Sequence, residues 1–380
     1  MFKKYEIGRF FGFKVQADLS WVILCIFLLW TFAKTIFPSM RPDLNEDVYW
    51  TLSMYAFIGV FISILAHELA HAIVAEAFDI KIRSITLFIF GGVAELDGLP
   101  SSPKGEYLMA LAGPAMSLFL GVAFYGVADL VQIVLKTELS SLVLIFLAKL
   151  NVLIALFNML PAFPLDGGRA LRGFLWGWKG DFVNATKTAG DLGALFGYMM
   201  IAYASIELAR EDYISAVWWA LLGTFLHLAC QYALRHAESH TILDGQKAKR
   251  FMRSDLKTVG SNLSLRSLMK DFYFIHFFKS YPITRNGVVQ GIVHLDQVSN
   301  IRQEFWGDTK VSDIMVPKEN CVFAHENEEA NLLLDKMQNN NLKTIFVIDD
   351  EGQVKGIVSY RDLMDYLTIV LKLNPEDGYF

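Results

Sequence analysis

Two histidines and a glutamate, His67, Glu68 and His71, stand within five positions of one another in ILAHELAH (64–71), inside one of the most apolar stretches of the chain. Placing such groups in hydrocarbon costs on the order of several kcal/mol unless something pairs with them. In a helix, positions i and i+4 lie on one face, so the two imidazoles point the same way about one turn apart. Side chains so placed can fill two corners of a tetrahedral zinc, with the intervening glutamate close enough to activate a water. The plainer reading is a set of polar residues satisfied by neighbouring helices, but the apolar setting favours the metal.

A catalytic zinc generally takes three protein ligands. The third is expected at Asp166, in NMLPAFPLDGGRAL (158–171). Pro161 and Pro164 break the helix there, and Gly167-Gly168 let the backbone turn tightly, so the carboxylate can be aimed back at the metal. Alone, an aspartate in such a loop would read as a turn residue. Paired with the two histidines, it reads as a ligand.

The elements that must position these groups follow from hydropathy. The 380 residues are 54% hydrophobic and only 19% charged, and the apolar residues concentrate before about residue 235. Six stretches approach or exceed the ~20 apolar residues that cross a bilayer as a helix, at about 17–37, 50–78, 107–135, 141–160, 189–207 and 214–234. Sixteen Lys and Arg flank these spans on one side, against Lys34, Arg41, Lys136 and Arg210 on the other. By the positive-inside rule both termini are cytoplasmic, in a multi-pass protein of the cell (inner) membrane. The second span would then place the histidines roughly 10–17 Å inside the cytoplasmic boundary.

Other features exclude more than they assign. A net charge of −5 gives nucleic-acid binding no electrostatic support. Cys25, Cys230 and Cys321 are too scattered for a thiolate metal site or a disulfide framework. The start reads as a mature N-terminus, without a signal peptide's cleavage site. Lys149, within the fourth span, is expected to face a hydrated cavity or to pair with Asp129 or Glu207. His227 and His236 read as packing or interface residues. KIRSITLFIFGGVAEL (81–96) reads as a β-hairpin turning at Gly91-Gly92, whose free edge could receive an extended substrate.

HELAH (67–71) and NMLPAFPLDGGR (158–169) together resemble the site-2 protease family of intramembrane zinc metalloproteases, and LAGPAMSLFLG (111–121) is similar to the family's glycine-proline stretch. The resemblance covers most of residues 1–235. It implies hydrolysis of peptide bonds in or near the transmembrane segment of substrate proteins, as in regulated intramembrane proteolysis. It also implies His67, His71 and Asp166 as ligands of one Zn2+ per chain, Glu68 as general base, and Asn158 as a polar group near the scissile carbonyl.

After a polar linker, ESHTILDGQKAKRF (238–251), two similar units follow, at 252–313 and 314–380. Each reads strand, turn, strand, helix, and Gly291 and Gly356 align. They resemble a tandem pair of CBS domains, which implies binding of an adenosine nucleotide and regulation of the attached domain. GIVSYRD in the second unit fits the family's hydroxyl-to-Asp spacing, making Ser359 and Asp362 candidate ribose contacts. In the first unit His294 and Gln297 stand there instead, so one site is expected to be lost, and a purely homodimerising pair is the alternative. The expected fold is thus a polytopic α-helical membrane domain (1–237), of about six transmembrane helices with a membrane-associated β-hairpin, plus a cytoplasmic α/β CBS pair. The rival reading is a CBS-regulated ion channel or transporter, with His67, Glu68 and His71 lining the ion path.

Overall fold

The computed structural model describes residues 4–89, 91–96, 99–135 and 138–373. The chain divides into two units, Met1–Glu238 and Ser239–Phe380.

Among the described residues of the first unit, six helical stretches are long and apolar enough to cross a membrane. They are α1 (Leu19–Thr31, continuing through a π-type turn to Met40), α2 (Glu46–Ala77), α3 (Pro103–Leu135), α4 (Glu138–Asn158), α6 (Phe182–Ala209) and α7 (Tyr213–Leu243). A shorter helix, α5 (Asp166–Lys179), lies between α4 and α6. Large apolar side chains on these helices, Ile26, Phe119, Val122 and Ile133 among them, are more than half exposed. Such faces suit a lipid solvent rather than water. Several helices outrun their apolar cores because backbone hydrogen bonding continues past the last lipid-facing residue.

The caps show how α2 is bounded. Glu46 and Asp47 place negative charge in its first turn, complementing the helix dipole. At the other end Asp79 takes a left-handed backbone (φ 56), Ile80 N donates to Ala75 O at 3.0 Å, and Asp79 N donates to Glu76 O at 3.1 Å. This is a Schellman stop, with Ile80 buried beside Ala75.

A four-stranded sheet accompanies the helices. Its order is β1 (Lys4–Phe10), β2 (Phe13–Asp18), β3 (Ile82–Phe88), β4 (Gly91–Leu96). The first two strands form a hairpin through Phe11 and Gly12, both at positive φ as a two-residue type I′ turn requires. β2 then runs parallel to β3, and Val15, Ile85 and Leu87 pack against Trp21, Leu65 and Leu69. The sequence did not reveal this N-terminal pair, whose parallel partner lies some seventy residues downstream. The β3–β4 hairpin is present, but its turn is displaced: Phe88 pairs with Gly91 and Leu87 with Gly92, so both glycines belong to the return strand.

Of the two roles expected of Lys149, the structure contradicts the ion pair with Asp129 or Glu207. Lys149 is exposed on α4, and among the described residues no carboxylate lies within ion-pair distance; Glu207 pairs instead with Arg210 at 3.1 Å.

The second unit has two hydrophobic cores, one per repeat. The first repeat contains β5 (Val259–Gly260), β6 (Ser280–Arg285), β7 (Val288–His294) and the short helix α8 (Leu295–Ser299). Next come β8 (Val316–Pro317), β9 (Phe323–His325), α9 (Ala330–Asn339), β10 (Thr344–Ile348), β11 (Val354–Ser359) and α10 (Tyr360–Leu373). The repeats match pair for pair. Ile283 faces Gly291 and runs parallel beside Val259; Val347 faces Gly356 and runs parallel beside Ala324. Each aligned glycine is crossed by the segment that leads into the other repeat. A Cβ at Gly356 would stand 2.6 Å from Arg253 O, and one at Gly291 would collide with Val316 O. Within residues 238–251, read from sequence as linker, Leu243, Ala248 and Phe251 are buried in the core of the second repeat.

Candidate metal centre

Two elements bring the candidate ligands read from sequence together. α2 presents His67 and His71 from one face, with ring centroids 4.8 Å apart. Asp166 is the first residue of α5. His67 Nε2 lies 3.0 Å from Asp166 Oδ2, His71 Nε2 lies 3.2 Å from Asp166 Oδ1, and the two Nε2 atoms are 3.2 Å apart. All three residues are buried.

The chemistry of this set fits a cation. His71 Nδ1 lies 2.6 Å from the backbone carbonyl of Met109, which can only accept, so that nitrogen carries the proton. With the proton on Nδ1, the neutral tautomer of His71 would turn its Nε2 lone pair toward a carboxylate oxygen and a second imidazole nitrogen, the arrangement a cation would join. His67 Nδ1 is placed the same way, 2.8 Å from Ser117 Oγ. Ligands about 2.0–2.1 Å from a tetrahedral zinc stand roughly 3.3 Å apart, close to the spacings seen here. Space is kept as well: a Cβ at Gly113 would fall 2.5 Å from His67 Nε2 and nearer still to His71 Nε2. Pro114, within α3, removes the N–H that would pair with Ala110 O and loosens the helix at this turn.

The loop before Asp166 is built differently from expectation. Gly167 and Gly168 are helical rather than turn-forming. They are glycines because the preceding loop lies directly on them: a Cβ at Gly167 would strike the carbonyls of Met159 and Leu160, and one at Gly168 the backbone of Ala162 and Phe163. Phe163 N donates to Ala189 O at 3.3 Å, and Cys230 Sγ donates to Phe163 O at 2.9 Å, tying the loop to α6 and α7.

Glu68 is buried beside the three candidate ligands and packs against β4. A Cβ at Gly92 would stand 2.5 Å from its Cγ and 2.8 Å from its Oε1. The hairpin therefore meets the centre through a glycine. Across the sheet, Glu95 of β4 accepts from Thr86 Oγ1 at 2.9 Å and from Ser84 Oγ at 3.3 Å, and pairs with Lys4 of β1.

The remaining candidates are Asn158, Ser359 and Asp362. Asn158 ends α4, half-buried, and its side chain makes no hydrogen bond among the described residues. In the second unit Ser359 Oγ donates to Asp362 Oδ2 at 2.6 Å, and Arg253 pairs with the other carboxylate oxygen. Burial pushes the Asp362 carboxyl up, but those two partners outweigh it and hold it below its ordinary value. In the first repeat Gln297 Oε1 accepts from His294 N at 2.9 Å, so the substituted pair closes a helix cap.

Residues that sequence reasoning passed over include Met109, Gly113 and Ser117. Gly113 and Ser117 share a helix face at i, i+4 within the quoted glycine-proline stretch, a small-plus-hydroxyl pattern that could have been noticed.

The model of peptidase family M50 matches residues 55–140 and 129–202, and that of the CBS domain matches residues 311–369. Rip3 of Mycobacterium tuberculosis, which carries the name of a zinc metalloprotease, is 30% identical over 98% of this chain and 95% of its own. Zinc metalloprotease MJ0392 of Methanocaldococcus jannaschii is 29% identical over 88% of this chain and 89% of its own. The solved site-2 protease from Methanocaldococcus jannaschii superposes with a TM-score of 0.43 at 24% identity, covering 61% of this chain and 95% of that one.

Proposed function

The chain belongs to peptidase family M50, the site-2 protease family of zinc metalloproteases, and carries a CBS domain; from that premise we propose that it hydrolyses peptide bonds inside the membrane, in or near the transmembrane segment of a substrate protein. The observation that carries this reading is the meeting of His67, His71 and Asp166 among apolar helices, with Glu68 beside them. Zinc held by those three residues would supply a Lewis acid that polarises the scissile carbonyl and lowers the pKa of water toward about 7. Glu68 takes the proton from the attacking water and returns it to the leaving amine as the C–N bond breaks. Met109 O and Ser117 Oγ hold the imidazoles with Nε2 facing inward throughout.

A transmembrane helix hides its carbonyls in its own hydrogen bonds, so the substrate must be drawn out locally. β4 pairs with β3 on one side and ends the sheet on the other, and its Gly92 touches Glu68. An extended substrate segment added to that edge would pass beside the general base. Asn158 remains the candidate contact to the substrate backbone. The loop charges orient both termini and the CBS pair toward the cytoplasm. Ser359 and Asp362 would contact the ribose of an adenosine nucleotide, and the paired repeats offer a homodimer surface.

Glu68→Gln tests the reading. The variant should bind zinc as the parent does and lose cleavage of a membrane substrate by about 10²–10⁴-fold. Cleavage at the parent's rate would end the proposal, and zinc-dependent ion flux through liposomes without cleavage would favour a transporter.

A further inference from the structure

The first unit buries a full charge pair that the chemistry above does not use. Glu106 of α3 is 0% exposed and Arg172 of α5 is 6% exposed. Arg172 Nε donates to Glu106 Oε1 at 2.7 Å and Nη2 donates to the same oxygen, while Glu106 Oε2 is buried with no hydrogen-bond partner. The guanidinium carbon lies 4.8 Å from the ring of Phe163 and 5.0 Å from the ring of Phe182. Phe163 belongs to the loop that presents Asp166, and Phe182 opens α6. One side chain thus gathers α3, the presenting loop and α6. Just beyond it α3 and α5 touch backbone to backbone: a Cβ at Gly173 would stand 2.9 Å from Tyr107 N and 3.0 Å from Pro103 O.

α3 is also the helix that orients both histidines, through Met109 O and Ser117 Oγ. The imidazoles and the carboxylate are therefore referenced to the same helix, the imidazoles by hydrogen bonds and the carboxylate through α5. We propose that Glu106 and Arg172 are positioning residues for the metal centre, fixing the placement of α5 on α3 that sets Asp166 opposite the two Nε2 atoms. This rests on His67, His71 and Asp166 being the ligands. Residues behind a metal's ligands commonly govern affinity by 10–100-fold. Two donors converging on one oxygen between two rings suit arginine, whose planar fork lysine cannot reproduce.

Full-length protein in detergent would be tested for zinc affinity by chelator competition and, metal-free, for thermal unfolding. Removing one partner leaves an uncompensated buried charge, whereas replacing both by apolar residues of similar volume can be neutral for stability. Glu106→Met with Arg172→Met should therefore unfold close to the parent yet bind zinc about 10–100-fold more weakly. Asp166→Ala is the control for the ligand reading. If it keeps the parent's affinity, the ligand assignment itself fails. If it loses zinc while the double variant keeps the parent's affinity, the pair only stabilises the fold and the proposal is overturned. Should the double variant not fold, Arg172→Lys decides: weaker zinc binding with unchanged unfolding supports positioning, and unchanged affinity refutes it.

Discussion

Replacing Gly113 with alanine tests the proposed metal centre with a single methyl group. The added carbon would lie 2.5 Å from His67 Nε2 and closer to His71 Nε2. An ion bound to both nitrogens stands about 2.0–2.1 Å from each, so methyl and ion compete for the same space. To admit both, the imidazoles must swing away, giving up the bonds to Met109 O and Ser117 Oγ. Each lost hydrogen bond costs about 0.5–1.5 kcal/mol. Each ring forced off its rotamer costs about 0.5–1.5 kcal/mol more. The two rings together give about 2–6 kcal/mol, or roughly 30- to 10⁴-fold in zinc affinity at ~1.4 kcal/mol per decade. Helix propensity pulls the other way, since alanine is favoured over glycine by about 0.8–1 kcal/mol in a helix interior. The expected result is a folded, helical protein with substoichiometric zinc. Metal analysis of purified protein and chelator competition would measure it. One tightly held zinc per chain in Gly113→Ala would refute the placement of the ion between the two Nε2 atoms.

Gly92→Ala should push the Glu68 side chain aside and lower the cleavage rate by about 10²-fold, the usual effect of an ångström's misplacement, while zinc content stays at the parent's level. Ser117→Ala removes the group that orients His67 and should weaken zinc about tenfold in chelator competition, without changing the far-ultraviolet circular dichroism. Asp362→Ala should abolish the heat of adenosine nucleotide binding by the full-length chain; undiminished heat would move the nucleotide away from Ser359 and Asp362.

The parts of this structure most legible in the sequence are those in which residue type and spacing carry the physics. His67 and His71 stand out because an i, i+4 pair of imidazoles in hydrocarbon needs a partner, and Asp166 because prolines precede and glycines follow a lone carboxylate. What holds them is less visible. Met109 contributes a carbonyl, which every residue has, and Glu106 and Arg172 meet only through the rotation of two helices about their axes. Glycine is ambiguous as a signal, since it marks positive φ and close approach alike. Gly91-Gly92 and Gly167-Gly168 read as turns from sequence, yet Gly92, Gly167 and Gly168 serve close approach. The N-terminal strands were hidden by distance along the chain: Val15 finds its neighbour at Ile85.

The two imidazoles are oriented by unlike means, and their mutational histories should differ accordingly. The proton on His71 is fixed by a peptide oxygen, which no coding change at position 109 can delete. Drift there can alter only the bulk around it. The orientation of His67 depends on a hydroxyl that one nucleotide substitution can erase. A lineage retuning its metal hold by small steps would find Ser117 adjustable and position 109 almost inert, so natural variation in ion retention should concentrate on the His67 side.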